Sequence, residues 1–469
     1  MKFLTLLLVV FCLTGNPKKE ASISLSKGFK VESTFSGSTS TNESFHLIIA
    51  KNIKKKQFEI IPISNTEGSL KQLESIAFDK APSIISFHNT GESVSLIVSS
   101  KGKKNDVFTV VDVNLSTGVS NKSDAFSGED FKAVIRKDAK NVLLFSNKES
   151  LKIVEVVNAT SIETLNVETA ENDADFLKDL DGSGLEAVNT DEFVANGSIS
   201  EFRAYFDGET VFITKEDIKD GNTTVNKVSL KEGNGPTLDS KVYKSSNENK
   251  KKSTSFVTGK TLYQFQMDKD KGDVNLFDLT STDNSSLDLS SMSISKKSKN
   301  FAGVEDFLKN AAKSKNEPTI SINKTKSGDL AMRVDYVNKR EYNYQYNWWW
   351  HHHWMWQQQM MWQQQMMQQQ IRSTVPTGFG PSQPDFDMYF TKTETHFFEV
   401  VFNATNENIK TDNLEMVHKE IDKRSYIDKL DEDTKVKHAS TVFLDNELRY
   451  FGYDKKSKVF KVISEELND

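Results

Sequence analysis

An all-β fold built from repeated antiparallel units is predicted by three observations. Short alternating apolar runs bounded by Gly, Asn, Asp and Ser dominate the chain, which is the two-residue period of strands joined by turns. One arrangement recurs along it: a turn, an alternating strand, a polar loop with lysines, and a second strand. Helical stripes, with apolar residues three and four apart, are scarce.

Ser44–Ile49 with Phe58–Ile63 opens the series. Asn89-Thr90-Gly91-Glu92 then leads into Val94–Val98 and Val107–Val113, and Lys140-Asn141 leads more weakly into Val142–Phe145 and Leu151–Val157. Asp207-Gly208-Glu209 precedes Val211–Thr214 and Val225–Leu230, and Thr258-Gly259-Lys260 precedes Leu262–Met267 and Val274–Leu279. Ser327-Gly328-Asp329 precedes Leu330–Val337, whose partner is the later run Met388–Phe402. Asp445-Asn446-Glu447, with Leu448–Tyr453 and Val459–Ile463, closes the series. Units spaced at roughly fifty to seventy residues, except around one insert, fit the blades of an antiparallel β-propeller. The count suggests seven blades, with six or eight as neighbouring possibilities and a pair of β-sandwiches as the alternative. Two segments read as helices: Val304–Ala312, with Val304, Phe307, Leu308 and Ala311 on one side, and Asp412–Lys423, with Leu414, Val417 and Ile421 on one face behind a Thr411 or Asp412 cap. Ser285–Asn300, poor in apolar residues, and Ser373–Pro384, rich in Pro, Gly and Ser, read as linkers.

The run Gly-Glu-Thr-Val-Phe-Ile-Thr from Gly208 and the run Gly-Lys-Thr-Leu-Tyr-Gln-Phe from Gly259 resemble the Asp-Gly-Lys-x-Leu-Tyr-Phe repeats of TolB-type and WD40-like bacterial envelope propellers. Two units carry the resemblance, and the Ser-Pro that usually precedes the turn in those families is missing. It implies a rigid, multi-loop interaction platform, often periplasmic; a fold alone does not fix a function.

The 469 residues, 36% hydrophobic and 27% charged, suffice for a large core or two medium ones. A net charge of −6 argues against nucleic acid as the main partner, because phosphate binding needs an excess of Lys and Arg. Lys54–Lys56 and Lys250–Lys252 read as solvated loop tips. Met1-Lys2 followed by the apolar Phe3–Leu13 has the pattern of an export signal over residues 1–21, ahead of a propeller at 22–469. The expected location is therefore the periplasm, the outer membrane or the cell surface. Cys12 stands where a bacterial lipoprotein carries its acylated residue, although Phe11 is bulky for a lipobox; cleavage near Gly15 is the other route. Apart from such an anchor, no apolar stretch is long enough to reach across a bilayer. With one cysteine, disulfide frameworks, zinc ribbons and Cys-x-x-Cys redox sites are excluded.

The most distinctive segment is an insertion at residues 340–385, within which Tyr342–Gln370 holds a Tyr/Asn run, Trp348, Trp349 and Trp350, His351, His352 and His353, then a Trp/Gln/Met tract. Lying between two strands of one unit, it is expected to protrude. Trp-Gln-Gln-Gln-Met-Met repeats from Trp356 and from Trp362, a period of six that suits a strand, with Trp356, Gln358, Met360, Trp362, Gln364 and Met366 on one face. Uncharged Gln-rich segments pair as ladders, and Trp and Met are enriched in binding hot spots. Trp348, Trp349, Trp350, Trp354, Trp356 and Trp362 are thus the candidate partner-binding residues, for self-association, another envelope protein or a glycan. His351, His352 and His353 with Met355, Met360 and Met361 could take copper or nickel, since imidazole and thioether suit those ions, but consecutive histidines of a strand point to opposite faces. A slipped triplet-repeat tract is the plain alternative.

Asp179-Leu180-Asp181-Gly182-Ser183-Gly184 resembles the first half of a calcium loop, with Asp179, Asp181 and Ser183 as oxygen ligands. Thr190 and Ala187 stand where closing carboxylates belong, which leaves Glu186 or Asp191 as substitutes and a plain Asp-Gly turn as the alternative. No catalytic residue is assigned. Outside the insert, His46, His88, His396, His418 and His438 stand alone, and Gly233-Asn234-Gly235-Pro236 lacks the helix-opening context of a phosphate loop. The expected function is a noncatalytic binding or assembly protein, with a metal-binding protein second and a glycan-binding or glycan-active propeller third.

Overall fold

The computed structural model describes residues 19–337 and 395–467, apart from 40–42, 67–68, 171–172, 195–196, 198–199, 218–219, 232–234, 245–250, 315–316, 404, 412–413, 422–425 and 427–435. The chain divides into two compact units: Met1–Ala77 with Arg424–Asp469, and Phe78–Lys423.

In the first unit, β1 (Lys19–Ile23) is followed by a meander of β2 (Phe29–Ser38), β3 (Ser44–Asn52), β4 (Gln57–Thr66) and β5 (Ser69–Gln72), with β6 (Ile76–Phe78) at its boundary. In the second, β7 (Pro82–Thr90), β8 (Ser93–Lys101), β9 (Asp106–Asn114) and β10 (Ser120–Lys122) form one sheet, with β11 (Phe126–Ser127) also on β9. The next is β12 (Phe131–Lys137), β13 (Lys140–Ser146), β14 (Leu151–Asn158) and β15 (Ser161–Val167). Helix α1 (Ala174–Gly182) then leads to β16 (Leu185–Ala187), which is parallel to β17 (Phe202–Phe206), with β18 (Thr210–Asp217), β19 (Asn222–Ser229) and β20 (Leu238–Tyr243) beyond it. A further sheet runs β21 (Lys252–Thr258), β22 (Thr261–Met267), β23 (Gly272–Asp278) and β24 (Asn284–Asp288). The last of this unit comprises β25 (Ile294–Lys297), β26 (Thr319–Lys324), β27 (Leu330–Val337), β28 (Thr395–Phe402) and β29 (Asn408–Ile409), in the order β25-β28-β27-β26 with β29 on β28 and helix α2 (Val304–Lys313) between β25 and β26. The first unit ends with β30 (Val436–Phe443), β31 (Glu447–Asp454) and β32 (Val459–Glu466), and β1 pairs with β32 as the fourth strand of that sheet.

Successive four-stranded meanders packed side by side are the β-propeller class. Within the second unit β12 lies beside both β7 and β17, and β21 beside β26; within the first, β2 lies beside β30. The second strand of a sheet is buried on both faces, as in β3, β8 and β22, which explains runs such as Leu47-Ile48-Ile49-Ala50 and Leu96-Ile97-Val98. Outer strands such as β15 and β20 are largely exposed and polar. Cores form between neighbouring sheets: Ile97, Phe108, Leu143 and Val154 in one, Ala133, Ile153, Phe202 and Val211 in the next.

Each pair of strands expected from the sequence is a hairpin at the centre of one sheet. Two readings are corrected. Asp412–Lys423 contains no helical turn over Leu414–Ile421; its described part runs alongside β26, with Val417 N donating to Lys324 O at 2.9 Å, and Val417 is 49% exposed, so the apolar spacing had no face to bury. Ser285–Asn300 is no linker: it supplies most of β24 and all of β25, edge strands whose polarity suits exposure on one side. In β1, Lys19, Glu20 and Ala21 pair with Ser464, Ile463 and Val462.

A chain starting at Ser24, without β1, is expected to unfold at least several degrees below one starting at Lys19. It loses about four ladder hydrogen bonds worth ~1 kcal/mol each, and the packing of Ile23 on the first unit's core. Equal thermal midpoints for the two chains would show that β1 contributes nothing.

Candidate functional site

The insertion leaves the fold through one hairpin. β27 and β28 pair in register from Leu330↔Phe402 to Val337↔Thr395, so residues 338–394 connect the ends of two adjacent, hydrogen-bonded strands. Alternation divides the hairpin into two faces. Met332, Val334 and Tyr336 pair with Val400, Phe398 and His396 on one; Arg333 and Asp335 pair with Glu399 and Phe397 on the other.

The apolar face is closed by α2. Its buried residues, Phe307, Leu308 and Ala311, fall on one side at helical spacing, and Glu305 and Asp306 sit in the first turn, where the helix dipole favours acids. Phe307 meets Tyr336 edge-on, with ring centroids 4.9 Å apart at 71°, and Phe398 at 4.9 Å and 83°. Phe301 adds a contact to Phe398 at 5.5 Å. Nearest the insertion, Tyr336 and His396 stack with centroids 5.0 Å apart and planes 6° from parallel. Such pairs add about 0.5–1.5 kcal/mol each beyond their burial, so the mouth of the hairpin is an aromatic collar.

The opposite face is ionic. Arg333 is 3% exposed; its Nε donates to Glu399 Oε1 at 2.7 Å and its Nη2 to Glu420 Oε2 at 2.8 Å. Lys296 Nζ donates to the same oxygen of Glu420 at 2.7 Å. The guanidinium lies 4.2 Å from the centroid of Phe397 and 5.2 Å from that of Phe193, geometry open to a planar cation. Burial opposes the charge on Arg333, but Glu420 and Glu399 outweigh it and hold the pKa above the usual value. Burial likewise opposes the charge on Glu420, and Arg333 and Lys296 bring its pKa down.

Asp335 shares that face and is fully buried. Thr319 Oγ1 donates to its Oδ1 at 2.9 Å, while Oδ2 has no hydrogen-bond partner. Its carboxyl is pushed up to about 7, chiefly by burial, against the lowering pull of Thr319, Arg333 and the Gly197 backbone. The loop before β17 covers this spot. Gly197 N donates to Thr319 Oγ1 at 3.0 Å, Val194 N to Asn323 Oδ1 at 2.7 Å, and Asn323 Nδ2 to Val194 O at 2.9 Å. The loop is therefore tied to β26 through the side chains of Thr319 and Asn323. A Cβ at Gly197 would lie 2.2 Å from Ile320 O, so only glycine fits.

The residues singled out in the sequence fare differently. Trp348, Trp349, Trp350, Trp354, Trp356, Trp362, His351, His352, His353, Met355, Met360, Met361 and Cys12 lie outside the described residues. The expected calcium loop is instead the end of α1: Leu180 is buried in a core, Asp179 turns to Lys215 at 2.5 Å and Asp181 to Lys132 at 3.1 Å, and Ser183 is the C-cap. Each carboxylate answers its own ammonium, so the two do not converge as a cation cage requires. No group of three or more His, Cys, Asp or Glu converges among the described residues.

Two histidines that stand alone in the sequence are embedded in polar cores. His46 Nδ1 is 2.7 Å from Ser36 Oγ, and its Nε2 is 3.2 Å from Ser44 Oγ. Burial, aided by Arg449, lowers its pKa to about 3, which keeps the ring neutral, and Ser36 is also bonded to Ser440 at 2.7 Å. With no exposure and both nitrogens engaged, this serine–histidine contact is core structure and offers a substrate no approach. His88 is held between Val157 O and Asn141. The Arg333, Glu399, Glu420 and Asp335 cluster was not foreseen; its one sequence signal is the placing of Arg333 and Asp335 two apart inside the otherwise apolar run Leu330–Val337.

No family model matches the chain, and no curated protein matches it. Among solved structures, the β-propeller domain of the Trilobed protease from Pyrococcus furiosus is similar at 8% identity with a TM-score of 0.29, covering 80% of each chain. The Dos1 propeller is similar at 11% identity and a TM-score of 0.29, covering 61% of this chain and 62% of that one. The WD40 domain of SCAP from fission yeast is similar at 6% identity and a TM-score of 0.23, covering 56% and 90%. The propeller assignment rests on the strand order and sheet packing described above.

Asp335 sets a pH dependence. Between its ordinary value of 3.8 and about 7 the folded state holds a proton that the unfolded chain has released, so stability falls as pH rises through that window. The expected loss is roughly 2–4 kcal/mol, complete above neutrality. Asp335→Asn keeps the shape and the acceptor, and should flatten that slope and unfold at higher denaturant than the parent at pH 8. Identical pH profiles for parent and variant would mean that Asp335 titrates normally.

Proposed function

We propose that this chain is an exported, noncatalytic binding or assembly protein whose propeller presents the Trp/His/Met/Gln-rich insertion to a partner, another envelope protein or a second copy of itself. The observation that carries this is the in-register closure of β27 and β28 at Val337↔Thr395, with the aromatic collar of Tyr336, His396, Phe307 and Phe398 directly beneath. The hairpin is complete without residues 338–394, so it supports a reading in which the insertion serves something outside the sheet. A rigid base also lowers the entropy lost when a presented segment is captured. Export is supported by Met1-Lys2 with Phe3–Leu13, and by β1 beginning at Lys19, downstream of both Cys12 and Gly15. A second reading, copper or nickel binding, is favoured by His351–His353 with Met355, Met360 and Met361.

The test replaces residues 338–394 with Asn-Gly, the two-residue turn that suits a twisted hairpin. The variant is expected to fold with a thermal midpoint within a few degrees of the parent, because the strands stay paired. Crosslinked pull-down from the native envelope, with bound metal quantified in both proteins, then separates the readings. Partners or self-association lost with metal unchanged supports assembly. Stoichiometric copper lost with partners retained puts metal binding first, and neither loss removes the insertion from the function.

A further inference from the structure

One end of the first unit gathers lysines that are some four hundred residues apart in the chain. The β3–β4 turn is Ile53-Lys54-Lys55-Lys56 and the β31–β32 turn is Lys455-Lys456-Ser457-Lys458. The segment between β1 and β2 joins them. Ile23 pairs with Phe460 beside the second turn, and five residues later Gly28 O accepts from Ile53 N, in the first turn, at 2.9 Å. Leu25, Phe29 and Tyr453 all pack against the one core beneath. All of these lysines are exposed, and among the described residues no carboxylate pairs with Lys27, Lys54, Lys56, Lys455, Lys456 or Lys458. Lys437, across from Tyr453, holds Lys455 below the usual lysine range, while the carboxylates nearby are engaged by Lys461, which meets Glu20 and Asp454, and by Lys55, which meets Glu59.

Backbone conformation adds an independent observation. In both turns an Asx side chain caps the start: Asn52 Oδ1 accepts from Lys54 and Lys55, and Asp454 Oδ1 from Lys456 at 2.8 Å. Four residues after the cap the backbone is left-handed, with φ of 57° at Lys56 and 59° at Lys458. Another turn of this protein has the same construction, opened by Asn114, and places glycine there, Gly118 at 82°. Glycine is the unstrained choice, so the two basic turns carry lysine at a conformational cost. In the first of these turns Ile53 is 60% exposed.

We propose that this end of the two-sheet unit is a docking surface for an anionic membrane, with the lysines at the headgroups and Ile53 entering the interface. Every cation named is a lysine, a point charge suited to a diffuse negative surface; among the described residues of these turns no arginine or exposed aromatic ring offers the planar contacts by which nucleic acids are held. An exposed apolar side chain beside the lysines has a use against lipid and none against a wholly polar polyanion. This surface is independent of the insertion.

The test is flotation of the full chain carrying Cys12→Ser, which removes any acyl anchor, with phosphatidylcholine vesicles and with vesicles that also contain phosphatidylglycerol. Binding is expected on the anionic vesicles alone and should weaken with salt. Lys56→Gly with Lys458→Gly should lose binding roughly 25-fold, at about fivefold per lysine, while the thermal midpoint stays level or rises. Ile53→Ser should weaken binding further, and Lys103→Glu with Lys104→Glu, in a turn of the other unit, should change it far less. Equal binding to both vesicle types, equal loss in the Lys103/Lys104 control, or binding to heparin or single-stranded DNA that matches the vesicles and ignores Ile53→Ser would each overturn the proposal.

Discussion

A strand buried on both faces must have its backbone satisfied on both edges, and that requirement organises this protein. β3, β8, β13 and β22 are almost entirely buried, so each needs a strand on either side, and the chain meets the need locally with meanders. Where the meander does not supply the fourth strand, something else takes its place. β25, which precedes its sheet in the chain, pairs with β28, and β1 pairs with β32. At the end of β26 the segment around Met416 takes that place, with Val417 N donating to Lys324 O at 2.9 Å and Lys326 N to Glu415 O at 2.8 Å.

The buried arginines Arg203 and Arg333 enter these cores with their charge answered, whereas, among the described residues, Asp335 Oδ2 and Glu399 Oε2 have no hydrogen-bond partner. Arg203, 2% exposed, meets Glu216 at 3.0 Å and also donates to the Ser255 carbonyl, while Ser255 and Thr223 donate to Glu216. Arg333 repeats the solution with Glu399 and Glu420. A buried pair of this kind adds little net stability over apolar side chains, yet it penalises any register that separates its members. That matters most at β27–β28, where the connection between the strands is long and the turn cannot fix the register. Arg333↔Glu399 and Tyr336↔His396 fix it from both faces instead.

How much of this could be read from the sequence follows from the same physics. Central hairpins were legible because doubly buried strands are apolar and their turns carry Gly, Asn and Asp. Edge strands were not: Ile294–Lys297 and Lys19–Ile23 are short and polar, and only the partner strand makes them strands. Asp179-Leu180-Asp181-Gly182 reads as a loop by composition, yet burial of Leu177 and Leu180 winds it into α1. The spacing of Leu414, Val417 and Ile421 implied a helix that has no core to cover. Of the candidate site, the insertion was evident as a segment, whereas Arg333 and Asp335 acquire meaning only from Glu420, Thr319 and Gly197, which lie far along the chain. Lys54–Lys56, taken singly, reads as a solvated tip; the closure of β1 on β32 brings Lys455–Lys458 to the same end of the unit.

The insertion's length is also less costly than it looks. Closing a longer loop costs only about 0.6 kcal/mol per doubling, so once the ends are held the sheet is nearly indifferent to what lies between them. The ends here are held by groups that do not belong to the loop: α2 through Phe307, the Val194–Gly197 segment through Thr319, and Glu420 through Arg333. Such a base lets the tract vary in length and composition without consequence for the strands beneath it.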